Sequence, residues 1–188
     1  MADARSERTL ASLTDAILEL AAEHPLSSIT VSQLTIRAGI NRATFYDHFR
    51  TPGELLEHVL NPDLDRMRER DNQLRAEGTL STQEMFRIGL VGVTEHVHRF
   101  LPIYRLALPD PRDNVTHHIL VSHFDESIRA LLARRPPEQA ALNPAVAARF
   151  MAHGLVGAIE AWLDDDALTP DVLVESVLLC APAWWHEL

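Results

Sequence analysis

The residue types suited to chemistry gather in one short stretch of this 188-residue chain, positions 28–50, SITVSQLTIRAGINRATFYDHFR. Thr30, Thr44, Tyr46 and His48 are hydrogen-bonding groups of the kind that meet phosphate oxygens, and Arg42 carries a fork that can grip a guanine edge bidentately. Three arginines (Arg37, Arg42, Arg50) stand there against Asp47 alone, whereas residues 51–188 hold 12 arginines against 21 acids. A locally cationic segment therefore sits near the front of an acidic protein of net charge −10, and total charge says little about one small face. The ten histidines suggest metal, but their spacing does not support it. His96 and His98 point about 200° apart on a helix, and His117 and His118 are splayed. His123 and Glu126 share a face, yet two ligands do not make a site, and no metal is expected. There is no phosphate-cradling glycine loop, no nucleophile elbow and no acid/base pair on a shared face, so neither an enzyme nor a cofactor is expected.

Composition sets the frame around that segment. At 46% apolar and 23% charged the chain reads as an ordinary globular protein, one domain or two small helical ones sharing a core. Apolar runs are only a few residues long, far short of the ~20 a membrane span needs, and MADARSERTL has no apolar core of a secretory signal. A cytoplasmic protein without a membrane partner is expected. The lone Cys180, in VLLCAP, reads as a small buried hydrophobe.

The elements that must position these residues are helical. Leu10, Leu13, Ile17 and Leu20 recur at helical spacing and predict a first helix that stops before Pro25. Ser28 or Thr30 caps a short second helix ended by Gly39, and Asn41 caps a third carrying Arg42 to His48, with Phe45 and Phe49 packing inward. Thr51 and Pro52 open a fourth with Leu55, Val59 and Leu60 inward, which Pro62 is expected to kink or break before a more charged helix runs to Gly78. A stripe from Phe86 to Phe100 ends near Pro102, a loop surrounds Pro109 and Pro111, and a helix through Val121 to Leu131 closes at Pro136 and Pro137. Helices over 144–163 and 170–187 open with Asn143-Pro144 and Thr169-Pro170. With no period-2 alternation and no hairpin dipeptide, the expectation is an all-α fold of about nine helices.

Two short helices joined at Gly39 form a helix-turn-helix, whose second helix can enter a major groove. The run from Thr30 through Ala38-Gly39-Ile40-Asn41 and Thr44-Phe45-Tyr46 to His48-Phe49 resembles the signature of the tetracycline-repressor (TetR) family of bacterial regulators. The tail from Phe150 to Trp162, followed by a Leu/Val-rich helix, is similar to that family's C-terminal domains. Thr51-Pro52 departs from the family's usual Ser-Lys: the cap is kept, a phosphate-contacting lysine is lost, and Arg50 is the candidate substitute.

The resemblance implies a three-helix DNA-binding domain over 1–53 and a helical effector-binding and dimerisation domain over 54–188. It places Arg42, Ala43 and Thr44 at base-facing positions and Thr30, Tyr46 and His48 at backbone-contacting ones, with Arg5 and Arg8 as further contacts from a flexible N-terminal arm. The last two helices are implied to form an intersubunit four-helix bundle, through Gly154, Gly157, Ala158 and Ala161 on one and Leu173, Val177, Cys180 and Trp184 on the other. Two interior glycines each cost about 1 kcal/mol relative to alanine, which close backbone approach offsets. Candidate effector contacts are Met67, Phe86, Leu90, Val93, Thr94, Val97 and Tyr104, with His118, Ser122 and Asp125 as polar groups. The expected protein is a homodimeric regulator, a repressor by family default, that binds a near-palindromic double-stranded operator and leaves it when an unknown small molecule binds. The alternatives are a constitutive DNA-binding dimer without effector, and a helical metal- or ligand-binding protein with a vestigial helix-turn-helix.

Overall fold

The computed structural model describes residues 2–110, 112–133 and 142–182, and these form nine α-helices and no strand. They are α1 Ala2–Glu23, α2 Val31–Ala38, α3 Arg42–Tyr46, α4 Pro52–Glu77, α5 Thr82–Arg99, α6 Leu101–Ala107, α7 Val115–Leu132, α8 Pro144–Asp164 and α9 Pro170–Cys180. Two compact units result, the first from Met1–Pro62 with Phe100–His117 and the second from Asp63–Arg99 with His118–Leu188.

In the first unit α1 packs against α2 and α6. Its apolar face is complete: Leu13, Ala16, Ile17, Leu20 and Ala21 are all buried, joined by Leu34, Phe45, Leu55, Leu56, Leu60 and Tyr104. The inward residues of the fourth helix are therefore Leu55, Leu56 and Leu60, while Val59 is only half-buried. Arg5 and Arg8 do not lie on an arm. The helix already runs from Ala2, and Arg8 Nε donates to the Ala4 carbonyl at 3.0 Å.

Two prolines behave differently from expectation. Pro62 sits inside α4 and does not end it: only one rung of the ladder is missing, and the neighbouring turns carry the helix across. Pro102 lies in the first turn of α6, where a helix has no use for the missing N–H, so a short helix stands where none was expected.

In the second unit α9 packs against α5 and α8. Leu90, Val93, Val97, Leu120, Phe124, Ile128, Leu132, Val156 and Ile159 supply its core. The helix starts are closed by side chains: Ser81 and Glu84 form a reciprocal cap on α5, Asn143 accepts from Ala145 and Val146 on α8, and Thr169 accepts from Val172 on α9. Trp162 Nε1 donates to the Leu168 carbonyl at 3.2 Å and fixes the turn between α8 and α9. Cys180, expected inside, is exposed at the end of α9. Trp184 and the prolines at 136 and 137 lie outside the described residues.

Candidate nucleic-acid interface and ligand cavity

The helix-turn-helix is held by its own short-range hydrogen bonds. Thr30 and Gln33 form a capping box: the Thr30 hydroxyl accepts from Gln33 N at 3.3 Å while Gln33 Oε1 accepts from Thr30 N at 2.8 Å. Gly39 ends α2 at φ 66°, a left-handed conformation that a Cβ would strain, and Ile40 N returns to the Thr35 carbonyl at 3.0 Å. Asn41 Oδ1 then accepts from Thr44 N at 2.8 Å and starts α3. Phe45 is fully buried beneath α3, with Phe49 beside it at a ring separation of 6.2 Å. The start of α4 repeats the logic: Glu54 N donates to Thr51 Oγ1 and Arg50 N donates to Glu54 Oε2 at 2.7 Å.

This framework divides the sequence-identified contacts into two kinds. Thr30 and Thr44 have their hydroxyl hydrogens engaged locally, with Gln33 Oε1 at 2.8 Å and Asn41 Oδ1 at 3.2 Å, so their first duty is capping. Arg42, Tyr46, His48 and Arg50 make no side-chain hydrogen bond to other described residues. Of these Arg42, Tyr46 and Arg50 are exposed, Tyr46 by 52%, and His48 is half-buried. Ala43 is exposed between Arg42 and Thr44 and adds no polar group. Arg37 is turned away into an ion pair with Glu19 at 2.8 Å. The outcome is a cationic, donor-rich surface on a short helix backed by aromatic packing, a geometry suited to phosphates and base edges.

The match to sequence families falls on this segment. Residues 13–59 fit the model of bacterial regulatory proteins of the tetR family. This segment is similar to the DNA-binding segment of tetR-family regulators. Over 59 residues it is 41% identical to the uncharacterized HTH-type transcriptional regulator YxbF of Bacillus subtilis (strain 168), a stretch covering 31% of this chain and only 16% of that protein. Solved TetR-like folds extend over nearly the whole chain. The fatty acid degradation regulator FadR of Bacillus halodurans matches with TM-score 0.65 at 18% identity, covering 90% of this chain and 95% of its own. FadR of Bacillus subtilis, solved with stearoyl-CoA, matches with TM-score 0.62 at 17% identity, covering 94% and 97%. NalD of Pseudomonas aeruginosa, the secondary repressor of the MexAB-OprM multidrug efflux pump, matches with TM-score 0.60 at 24% identity, covering 93% and 95%. At these identities the solved structures establish the TetR fold for this chain.

The C-terminal unit has two concave features. One is a small cavity of about 30 Å³ among α4, α5 and α7. Phe86 and Leu90, two of the candidate effector contacts, line it with Phe124, and its polar groups are Asp71, Arg75, Thr82, His123 and Ser127, none of them among those candidates. His123 is 5% exposed, and neither its Nδ1 nor Ser127 Oγ has a hydrogen-bond partner among the described residues. Burial, with Arg68 and His96 nearby, pulls the His123 imidazole down to about 4, so it is neutral at physiological pH. Burial also raises the Asp71 carboxyl, opposed by the charges of Arg75 and Arg70.

The remaining effector candidates are placed elsewhere. Val93, Thr94 and Val97 are buried on α5, and the Thr94 hydroxyl donates to the Val91 carbonyl at 2.8 Å. Met67 packs toward Gly92, His118 is exposed with Ser122 at 3.5 Å, and Asp125 is held by Arg129 at 2.5 Å. Tyr104 is fully buried in the other unit and takes no part in this cavity. Asp63 ties α4 to α5: burial would raise its carboxyl, but hydrogen bonds from His96 at 2.9 Å and Arg99 at 2.8 Å prevail and hold it below the usual carboxylate range.

The second feature is an open apolar groove of about 870 Å³ along α8 and α9. Val146 is 67% exposed, Phe150 80% and Leu179 87%, an unusual amount of large apolar surface on two helices. Gly154, Ala158, Ala161, Leu173, Val177 and Cys180 line the groove, although Leu173 is largely buried within the protomer. Among the described residues nothing lies within 4 Å of a Cβ built at Gly154 or Gly157, so no packing between them requires either glycine.

Proposed function

We propose that the protein is a homodimeric DNA-binding transcriptional regulator, acting as a repressor, that a small molecule in its C-terminal unit releases from the operator. The observation that carries the DNA reading is α3: Asn41 caps it, Phe45 anchors it, and Arg42 and Tyr46 are left exposed with no side-chain hydrogen bond to the described residues. Arg42, Ala43 and Thr44 face base edges, while Tyr46, His48 and Arg50 meet the phosphate backbone, joined by Thr30 through its spare lone pair and the α2 N-terminal amides. In this division residues 1–53 bind DNA, and 54–188 bind effector and partner.

Dimerisation through α8 and α9 is supported by the exposed apolar side chains and by two glycines that no contact among the described residues explains. Gly154→Leu and Gly157→Leu are expected to fold normally, because a Cβ there meets nothing among the described residues and a helix favours leucine over glycine by up to about 1 kcal/mol. They are expected to turn a dimer into a monomer in light scattering behind size exclusion. A dimer that survives both substitutions assigns the interface elsewhere. The stearoyl-CoA in the Bacillus subtilis FadR structure supports effector binding by this fold.

The deciding experiment is retention of fragmented source DNA by the purified protein, with sequencing and a salt titration. A shared near-palindrome with half-sites about one helical turn apart is the expected result. Binding to it should vanish in the Arg42→Ala/Tyr46→Phe double variant and weaken steeply with salt. Retention without any shared sequence would leave only non-specific phosphate attraction and defeat the regulator reading.

A further inference from the structure

The small cavity of the C-terminal unit holds more polar groups than its packing uses. His123 and Ser127 stand one helical turn apart on the same face of α7, and each keeps a buried polar atom without a partner among the described residues. Native interiors rarely tolerate an unmet buried group, and two on one wall of one cavity point to an absent hydrogen-bonding occupant. Across the cavity Asp71 lies against α5 where residue 89 is glycine: a Cβ there would stand 3.2 Å from Asp71 Oδ2. Phe86, Leu90, Phe124 and Leu131 make the remaining wall apolar.

We propose that His123, Ser127 and Asp71 receive the hydroxyl of a neutral, slender alcohol, and that this class of molecule is the effector. The inference rests on the effector reading above and gives it a chemistry. A hydroxyl both donates and accepts, so it satisfies His123 whichever ring nitrogen carries the proton, and Ser127 in either rotor. A carboxylate would be set against Asp71. An ammonium would be set against the guanidinium of Arg75 in the same wall. Either ion would also lose part of its hydration against the apolar wall. The present volume of about 30 Å³ takes the hydroxyl head, and the unbranched thioether of Met85, also in the wall, must shift to admit the carbons behind it.

The test is calorimetric titration of the full-length protein at pH 7.5 with 1-hexanol, hexanoate and hexylamine, three probes with one body and three heads. Hexanol is expected to bind at least about ten-fold more tightly than either ion, the difference that about 1.4 kcal/mol makes. Ser127→Ala and His123→Phe should each weaken hexanol about five-fold or more; Ser127→Ala removes a single oxygen and keeps the test sound if the other variant folds poorly. Equal binding of hexanoate or hexylamine, an unchanged hexanol affinity in Ser127→Ala, or no binding at all, which would mean ordered water only, each overturns the proposal. Retention on operator DNA separates the two levels. Hexanol that binds without releasing DNA keeps the hydroxyl site and defeats the effector reading. Release by a charged metabolite, with no hexanol binding, keeps the effector reading and defeats the hydroxyl site.

Discussion

The helix-turn-helix and the cavity of the C-terminal unit handle polar groups in opposite ways. Between Thr30 and Glu54 each helix start is met by a neighbouring side chain, Gln33, Asn41 or Glu54, within a few residues. At the cavity, His123 Nδ1 and Ser127 Oγ have no partner among the described residues although burial makes that expensive. A surface that must meet a rigid polymer gains from a backbone whose hydrogen bonds are already settled, leaving its long side chains to do the reading. A cavity that must admit a guest gains from the reverse, since polar atoms that are already satisfied offer the guest nothing.

The largest expected effect attacks the closed side of this contrast. Phe45→Ala empties a fully buried site beneath α3 and is expected to cost about 3–5 kcal/mol in urea unfolding, with loss of DNA retention. A cost below about 1 kcal/mol would mean that α3 does not depend on its aromatic base. The next effect probes the open side through pH. His123 titrates near 4 in the folded chain against 6.5 ordinarily, so between those values the unfolded chain takes up a proton that the folded chain refuses. Stability should therefore fall as pH drops from 6.5 toward 4, by up to about 3 kcal/mol, and His123→Phe should flatten that slope. Urea melts at pH 7.5 and 5 compare the two proteins. The smallest effect sharpens the contrast: Thr30→Ala removes the α2 cap and should cost about 1 kcal/mol, while Ser127→Ala removes an unpartnered oxygen and should be neutral or slightly stabilising.

What was legible in the sequence was what local rules control. Caps at Thr30, Asn41, Asn143 and Thr169, the turn at Gly39 and the inward Phe45 and Phe49 follow from residue type and spacing. Prolines were legible only in part, since a proline stops a helix or starts one according to which turn it occupies: Pro102 lies in the first turn of α6 and Pro62 is carried within α4. The cavity was the least legible. Asp71 and His123 lie more than fifty residues apart on different helices, and nothing in the spacing of either says that they face one volume. A buried histidine beside an unused serine one turn later, in a helix otherwise apolar on that face, was the available signal.

Pro62 has a consequence for how motion spreads. It has no amide hydrogen, so α4 lacks the bond to the His58 carbonyl at the residue where the chain passes from the first compact unit to the second. Continuous as a path, α4 is weaker there as a line of mutually polarising peptide groups. Fraying that starts in either half meets its weakest rung at this junction, so the two halves can open as separate cooperative segments, each with the unit whose core it shares.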